Sequence, residues 1–405
     1  MNLEQSNFYD IIIVGGGPAG CSTAIFAAKK GLKVILIEKG PKIGPEPRGE
    51  TLHFDPILDE IFEKGYLNKI KLFETAEREF YSPDTTKMVI KKRKTPSIVF
   101  NWTEFMKGFV NSMEKLNIKI LLNSEVTNLL YDSSKSIVNG VILKSSEGQT
   151  KEVRGKVVFA CDGFKSIIRN IVYPNSNLKS FPIIKSIMKN GNFKTKAFKY
   201  FIVPMEHLKF APRFPPFIAF IFPRDGNNFE TGIMIITDLL RELGINSLKE
   251  SEIFDVWVKF KDQYPVFSEM VRGCSIVYEK LTGIPMTGPI DKYIPQKGIV
   301  LLGDAAGFVE VSGGSGLISS IKMAKIWVDL LTPYLKIIEF NDESLKIVWS
   351  EKNIKKFEKK FQSTKIHKHI TKTSKRYNQF RRKIFIDWRT TENIMKNWKL
   401  ISFFI

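Results

Sequence analysis

The first hydrophobic run along the chain, residues 9–14, is rich in isoleucine and valine and ends at three consecutive glycines. Residues up to about 30 then keep helical spacing, Gly31 stops that helix, and residues 33–37 form a second apolar run. An apolar strand, a glycine-rich turn, a helix and another apolar strand predict a βαβ unit with parallel strands.

Two later apolar runs, residues 157–160 and 299–302, repeat this layout, since each enters a loop that contains aspartate and then a helical stretch. Both are expected to join the same parallel sheet. Between them, residues 199–203 and 217–237 alternate or run apolar around a turn at 223–228. This middle region predicts a strand pair in a separate, mixed sheet.

The composition changes after Pro333. Residues 336–405 hold 18 lysines and arginines against 7 acidic residues, so 18 − 7 = +11 of the charge lies there. Apolar residues recur at the spacing of one helical face, with lysines around the rest: Ile354, Phe357, Phe361, Ile366 and Ile370. The pattern predicts a basic, helical C-terminal extension.

The whole chain has 405 residues and a net charge of 62 − 42 = +20, with an isoelectric point near 9.6. Its length allows two or three domains, and 43% hydrophobic residues exclude wholesale disorder. The charge points to an anionic partner, either nucleic acid or a membrane surface. The tail lacks a recognisable nucleic-acid-binding module, so no nucleic acid is expected, and a solvated face and membrane contact remain alternatives.

Three separated cysteines offer neither a disulfide framework nor a paired metal site, and no metal is expected. The N-terminus lacks the basic region of a signal peptide, and glycines break the one long uncharged stretch. We therefore expect a cytoplasmic protein that could also lie peripherally at the membrane.

The glycine-rich turn has the spacing of a dinucleotide fingerprint, Gly15-x-Gly17-x-x-Gly20, with Glu38 ending the second strand about 20 residues on. Gly15 allows the tight turn, Gly17 allows backbone approach to a pyrophosphate, and Gly20 allows close helix packing. Glu38 can accept hydrogen bonds from ribose hydroxyls.

Two further motifs follow the later strands. Asp162-Gly163 is followed at helical spacing by Ser166 and Arg169, and Asp304 lies in the glycine-bounded segment 303–307. A strand-end aspartate can bond a sugar hydroxyl, and the glycine-rich run at 312–317 offers backbone amides at a helix start. Such a helix end suits the anionic ring edge of a reduced flavin.

With these motifs the sequence resembles the FAD flavoproteins of the glutathione-reductase-like superfamily, in particular geranylgeranyl reductases and their monooxygenase relatives. The resemblance covers nearly all of the first 330 residues. Besides the fingerprint and the two aspartate motifs, the segments closest to the reductase form are 220–224, 284–289 and 298–309. Segment 220–224 is similar to the reductases' aromatic-Phe-Pro-Lys motif beside the isoprenoid tunnel, with Arg224 in place of lysine.

The resemblance implies FAD as cofactor and an isoprenoid or other apolar substrate, and it implies these cofactor-binding residues: Gly15, Gly17, Pro18, Ala19, Gly20, Glu38, Lys39, Arg48, Gly49, Val126, Asp162, Gly163, Arg169, Gly303, Asp304, Gly314, Ser315, Gly316 and Leu317. The implied substrate residues are Phe220, Phe222 and Pro223, within an apolar wall from 214 to 222.

The expected fold is α/β. A discontinuous Rossmann-like FAD-binding domain would comprise residues 1–75, 101–178 and 274–333. An inserted mixed β-sheet substrate domain would comprise 76–100 and 179–273, followed by the helical extension 334–405.

The resemblance implies reduction of C=C bonds in isoprenoid chains. The alternative is a monooxygenase or halogenase-like enzyme acting on an aromatic substrate, since Arg48-Gly49-Glu50 looks like the flavin-dependent hydroxylases and halogenases. The reductases' usual cysteine in that loop is absent, and Trp102 stands where the superfamily often has an arginine that holds FAD.

Two residues are candidates for catalysis. His53 could supply a proton near the flavin, because its ordinary pKa suits neutral pH, or it could be a surface histidine. Arg224 could meet an anionic headgroup at the cavity mouth, or lie in solvent at a hairpin turn. No second dinucleotide fingerprint is present, so a transient donor such as NAD(P)H or a ferredoxin must supply electrons.

Overall fold

The computed structural model describes residues 8–44, 47–193, 195–237, 239–311, 314–387 and 391–401. Within these ranges the strands form sheets of five, four and eight strands. Helices pack on the sheets and make up the C-terminal part, so the predicted α/β fold is confirmed.

The five-stranded sheet is parallel, with the order β17-β11-β2-β3-β7. Its central strands are almost fully buried, which explains why they read as continuous apolar runs. Helix α1 packs against both α3 and α7. The bounds are β2 Ile11–Val14, α1 Pro18–Lys29, β3 Val34–Ile37, α3 Trp102–Lys115, β7 Lys119–Leu121, β11 Val158–Ala160, β17 Ile299–Leu301 and α7 Leu317–Leu335.

A four-stranded sheet contacts the parallel sheet at β2, β3 and β11. Its order is β1-β10-β9-β8, and the first pair is parallel while the others are antiparallel. The short helix α4 Ile167–Val172 contacts β8. The strands are β1 Phe8–Tyr9, β8 Ser124–Tyr131, β9 Val138–Ser145 and β10 Thr150–Gly155.

The eight-stranded sheet has the order β16-β12-β15-β14-β13-β5-β6-β4 and is antiparallel except for the β13–β5 pair. One face packs on α5 Glu250–Gln263 and α6 Phe267–Val271 through a core that includes Trp257 and Phe260. The strands are β4 Thr51–His53, β5 Lys71–Tyr81, β6 Met88–Phe100, β12 Ser180–Lys189, β13 Phe198–Val203, β14 Phe217–Pro223, β15 Phe229–Ile235 and β16 Ser275–Pro285. Helix α2 Tyr66–Ile70 precedes β5.

The C-terminal extension is helical, as its apolar spacing predicts, and its apolar face is buried against the rest of the molecule. Phe357 and Phe361 join the main core, and Tyr377 and Trp398 join a core beside the eight-stranded sheet. Its helices are α8 Asp342–Val348, α9 Glu351–Gln362, α10 Lys365–Arg382 and α11 Thr391–Ile401. Among the helices described, none has the length and apolar character needed to cross a bilayer.

The predicted domain boundaries stay predictions, but two of them fall inside elements that the sequence alone did not delimit. The boundary at 75/76 falls inside β5, and the boundary at 333/334 falls inside α7. Strand β16 lies in the segment assigned to FAD binding, yet it pairs with β12 in the eight-stranded sheet. The large sheet therefore draws on more of the chain than the predicted substrate domain.

Candidate functional site

The fingerprint loop closes tightly around two of its glycines and leaves the third open. Gly15 has φ +103°, and an added Cβ there would lie 2.4 Å from the Cys161 carbonyl oxygen. At Gly20 it would lie 1.9 Å from the Gly15 carbonyl oxygen. At Gly17, the residue before α1, it would meet no atom of the described residues within 4 Å. A space against exposed backbone at a helix N-terminus suits a pyrophosphate.

Glu38 is held in place beside this loop. One carboxylate oxygen accepts the Gly16 N–H at 2.6 Å, and the other accepts the Gly40 N–H at 2.7 Å. Each oxygen has further lone pairs, so the oriented carboxylate can still accept from ribose hydroxyls. Lys39 follows Glu38 and is exposed.

The residues of the middle motif have two kinds of surroundings. Gly163 lies beside open space, whereas Arg169 is bonded to backbone carbonyl groups. Burial raises the pKa of Asp162, whose Oδ2 accepts the Ile168 N–H, while its buried Oδ1 has no hydrogen-bond partner among the described residues. Gly163 has φ +79° and open space at its Cβ position. Arg169 instead donates to the carbonyl oxygens of Phe164 and Ala305, so it ties the second and third motifs together.

The third motif brings Asp304 to the start of α7. Burial raises the pKa of Asp304, and the carboxyl lies close to Gly316, where an added Cβ would be 3.1 Å from its Oδ1. Gly314 has φ +63°, and Ser315 bridges to Glu310 through backbone hydrogen bonds. Part of the glycine-rich run, residues 312 and 313, lies outside the described residues.

These parts line one cleft between the parallel sheet and β16, with an empty volume of about 1280 Å³ that includes its mouth. The motif residues that line it are Gly17, Pro18, Ala19, Arg48, Gly163, Asp304, Gly314, Gly316 and Leu317. On the opposite wall lie three residues of β16 that the sequence did not single out, Tyr278, Lys280 and Thr282, together with Ile284 of the reductase-like segment. The open backbone at Gly17, the unpartnered Asp162 oxygen and the α7 start fit a bound dinucleotide.

Ten of the predicted cofactor residues do not line the cleft: Gly15, Gly20, Glu38, Lys39, Gly49, Val126, Asp162, Arg169, Gly303 and Ser315. Val126 is buried in β8 and does not line the cleft, and Gly303 is buried beside Ala19 and Ser320. Gly49 lines the neighbouring cavity instead. Because these residues do not line the cleft, their contacts with FAD stay predictions.

Arg48 lies over the ring of Trp102, with 4.0 Å from its guanidinium carbon to the ring centroid. Its Nη2 also pairs with a Glu50 oxygen at 2.8 Å. Trp102, which stands at the superfamily's arginine position, thus supports an arginine that comes from a different loop. The guanidinium reaches the cleft from the 47–50 segment.

A second cavity, with an empty volume of about 820 Å³, opens beside the cleft on the face of the eight-stranded sheet that does not pack on α5 and α6. Its apolar and aromatic lining comes mainly from β12–β16 and α10: Ile183, Tyr200, Ile218, Phe220, Phe222, Met234, Ile284, Met286 and Tyr377. Five residues line both spaces: Glu50, Ile183, Lys185, Ile284 and Gly314. The cavity and the cleft therefore meet.

Charged groups are concentrated at this junction. Lys185 Nζ bonds Glu50 Oε1 at 2.6 Å, and Arg48 bonds the same oxygen. Burial disfavours the ionised form of Glu50, but Lys185 and Arg48 outweigh it and lower the pKa. Neither Lys185 nor Glu230 was predicted from the sequence as a site residue. The signal that indicates them is a charged residue within an otherwise apolar strand.

Several predicted substrate and catalytic residues are placed differently from expectation. Phe220 and Phe222 line the cavity, whereas Pro223 ends β14 outside its lining. Phe214 and Phe217 pack in the core under α5, on the other face of the sheet. Alternation along β14 explains this, because neighbouring side chains point to opposite faces.

The two candidates for catalysis, His53 and Arg224, also lie in surroundings that differ from the predicted ones. His53 is exposed on β4 with Nδ1 3.0 Å from the Pro96 carbonyl oxygen, and it lines neither space. Arg224 is not in solvent, since its side chain is 13% exposed and pairs with Glu230 at 3.3 Å. Neither placement supports the contact predicted for it.

Comparison with known proteins agrees with this geometry. Residues 9–230, more than half of the chain, match the family model described as FAD binding domain. Over 363 residues the chain is 26% identical to the digeranylgeranylglycerophospholipid reductase of Methanococcus vannielii, covering 87% of this chain and 84% of that protein.

Solved structures share the fold. A geranylgeranyl bacteriochlorophyll reductase-like protein from Thermoplasma acidophilum has a TM-score of 0.66 at 18% identity, over 98% of this chain and 100% of that chain. A flavin-dependent brominase has a TM-score of 0.63 at 14% identity, over 90% and 92%.

The fold, the fingerprint cleft and the adjoining cavity define a flavoprotein oxidoreductase. The chain belongs to the FAD binding domain family, and the prediction of FAD as its cofactor is confirmed.

Proposed function

We propose that this enzyme reduces carbon–carbon double bonds of geranylgeranyl-type isoprenoid chains. The observation that carries the proposal is an apolar, aromatic cavity that shares a wall with the FAD cleft. The curated relative from Methanococcus vannielii, named as a digeranylgeranylglycerophospholipid reductase, supports it across most of both chains.

Reduced FAD supplies a hydride when it is bound. The protein binds and orients the two reactants. Motif residues Gly17, Gly163 and Asp304 would hold the cofactor along the cleft, and the start of α7 would favour negative charge at the flavin ring edge. Electrons arrive from a transient donor such as NAD(P)H or a ferredoxin.

The cavity wall selects the substrate by apolar burial. Tyr200, Phe220 and Phe222 form a contiguous aromatic surface, with ring centroids 4.8 Å apart for Phe220–Phe222 and 5.5 Å for Tyr200–Phe222. An isoprenoid offers little except apolar area, which contributes about 25 cal/mol per Å² removed from water. A wall of this kind therefore suits an isoprenoid chain.

Anaerobic incubation of the pre-reduced enzyme with a geranylgeranyl lipid is the direct test. We expect mass gains in pairs of hydrogen atoms and parallel oxidation of the flavin. Ile218→Trp is the informative variant, because Ile218 lines the cavity but not the cleft. It should keep FAD and lose lipid turnover. Oxygen-dependent hydroxylation or halogenation of an aromatic substrate, with no saturated lipid, would favour the monooxygenase or halogenase alternative instead.

We also propose that the C-terminal extension holds the enzyme at anionic membranes, where a lipid substrate lies. Exposed lysines recur along one side of α10, at Lys365, Lys368, Lys372 and Lys375. The apolar side of the same helix is buried through Ile370 and Tyr377. The basic stripe therefore faces outward.

Changing those four lysines to glutamine should weaken binding to anionic vesicles by up to about a thousandfold, since each contributes about 1 kcal/mol. Vesicle sedimentation at rising salt measures this. The matched control replaces four exposed lysines on the other sheets and helices, Lys69, Lys119, Lys144 and Lys151. Equal loss in both variants, or binding that salt leaves unchanged, would contradict a role for the stripe.

A further inference from the structure

One carboxyl group stands on the cavity wall without a role in the function proposed so far. Glu230 is in β15, directly opposite Phe222 of β14 and Ile187 of β12. It is 3% exposed and lines the cavity. Apolar surroundings disfavour the carboxylate form, so a buried carboxyl can hold its proton near neutral pH and donate it to a reacting group.

Glu230 is fixed by its neighbours. Arg224 Nη1 donates to Glu230 Oε1 at 3.3 Å. Gly49 leaves room for the other oxygen, because an added Cβ at Gly49 would lie 2.3 Å from Glu230 Oε2. The Glu50 backbone amide also forms a hydrogen bond with the carboxyl. The carboxyl therefore sits against the loop that enters the FAD cleft.

The charged groups that face Glu230 come from each element packed against it. Arg224 follows β14, Lys185 lies on β12, and Glu50 lies on the 47–50 segment with its partner Arg48. The hydroxyls of Tyr200 and Tyr377 also belong to residues of the cavity lining.

The two carboxyl groups of this junction have pKa shifts of opposite sign, because the cations beside Glu50 outweigh its burial and those beside Glu230 do not. Burial raises the pKa of Glu230 to about 8, and the attraction of Arg224 and Lys185 offsets only part of that rise. Glu50 is held ionised by Lys185 and Arg48, and its charge adds to the rise at Glu230. Two nearby carboxyls with opposite shifts are an arrangement that supports acid–base chemistry at neutral pH.

We propose that Glu230 is the general acid that protonates the substrate alkene, an inference that rests on the proposed function. Bound reduced FAD would supply the hydride that forms a C–H bond at one alkene carbon, and the π electron pair would take the Glu230 proton at the other carbon. The alkene would gain two hydrogens, its two electrons would come from the flavin, and Glu230 would be left as a carboxylate paired with Arg224. Solvent returns the proton before the next turnover.

This assignment differs from the sequence expectation at His53, which is exposed and lines neither space. Glu230 lies on the same cavity wall as Phe220 and Phe222, the residues expected to contact the isoprenoid. Arg224 therefore acts as a positioning residue for Glu230.

Glu230→Gln keeps an acceptor for Arg224 and removes the transferable proton. We expect its reduced flavin to be reoxidised by lipid at least about 100-fold more slowly than that of the wild type under anaerobic conditions. FAD content and photoreduction of the flavin should be unchanged. In the wild type the reoxidation rate should fall as the pH rises through about 8, because the acid form is lost. In the variant that fall should be absent.

A second measurement does not depend on turnover. Infrared difference spectra across pH 6–9 should show the carbonyl band of a protonated carboxylic acid that disappears in Glu230→Gln. Glu358→Gln is the control, because Glu358 is a carboxyl whose pKa burial raises to about 7 and which lines neither space. Its band should be separable from that of Glu230, and Glu358→Gln should saturate lipid at the wild-type rate.

The outcomes separate the two proposals. Lipid saturation by the wild type with an equally fast Glu230→Gln enzyme overturns the general acid and leaves the reductase standing. Loss of the infrared band only in Glu358→Gln overturns it as well. Failure of the wild type to saturate any lipid overturns the proposed function, and the general acid with it.

Discussion

Replacing Gly17 with leucine is expected to give a folded protein that purifies without FAD. Gly17 has φ −75° and ψ 178°, a backbone conformation open to any residue. In the part of the chain that the structure describes, no atom lies within 4 Å of an added Cβ, so the new side chain would extend into the cleft. It would occupy the space that the pyrophosphate needs against the α1 amides.

The flavin-to-protein absorbance ratio of the purified protein measures the effect, and thermal unfolding with and without added FAD shows whether the fold persists. Gly20→Leu is the matched comparison, because its Cβ would lie 1.9 Å from a backbone oxygen. That variant should lose stability as well as flavin. Wild-type FAD content in Gly17→Leu would contradict the placement of the pyrophosphate.

Phe361→Ala should lower the free energy of unfolding by about 3–5 kcal/mol, the usual cost of removing a fully buried aromatic side chain. Phe361 of α9 is 0% exposed and contacts the rings of Trp327, Tyr293 and Phe308. The substitution would leave a void between the extension and α7, which starts at the flavin cleft.

Urea unfolding followed by tryptophan fluorescence measures this change. Lys352→Ala on the exposed side of the same helix is the control and should change stability by less than about 0.5 kcal/mol. A cost below 1 kcal/mol for Phe361→Ala would mean that the extension is not part of the core. Since the extension contributes Phe357 and Phe361 to the main core, removal of all residues after 333 would expose core surface. Substitution of the exposed lysines is therefore the cleaner test of membrane binding.

The nucleotide-binding half could be predicted from sequence because its physical constraints are local. Strand β2 is buried on both faces and so appears as an unbroken apolar run. Gly15 and Gly20 occupy positions where a Cβ would strike backbone, so their spacing follows directly from the loop. Such restrictions act within a few residues and leave a readable pattern.

The substrate side could be predicted only in part, because its contacts join distant segments. Alternation in β14 indicates two faces, but it does not say which face meets the cavity, and Phe217 was assigned to the wrong one. Arg224 reads as a turn residue until β15 places Glu230 across the hairpin. The meeting of Glu50, Lys185 and Glu230 depends on three separate stretches of chain.

The parallel pairing of β5 with β13 has a consequence for how the molecule is made. Arg78 pairs with Phe198, and β12 also needs β16 as its edge partner, so this sheet is complete only after residue 285 has been synthesised. Pairing between distant strands requires loop closure before it gains contacts, which slows folding. The nascent chain would therefore carry an unfinished apolar sheet through most of its synthesis. Its expression should depend on chaperone capacity more strongly than that of a protein built from sequence-local units.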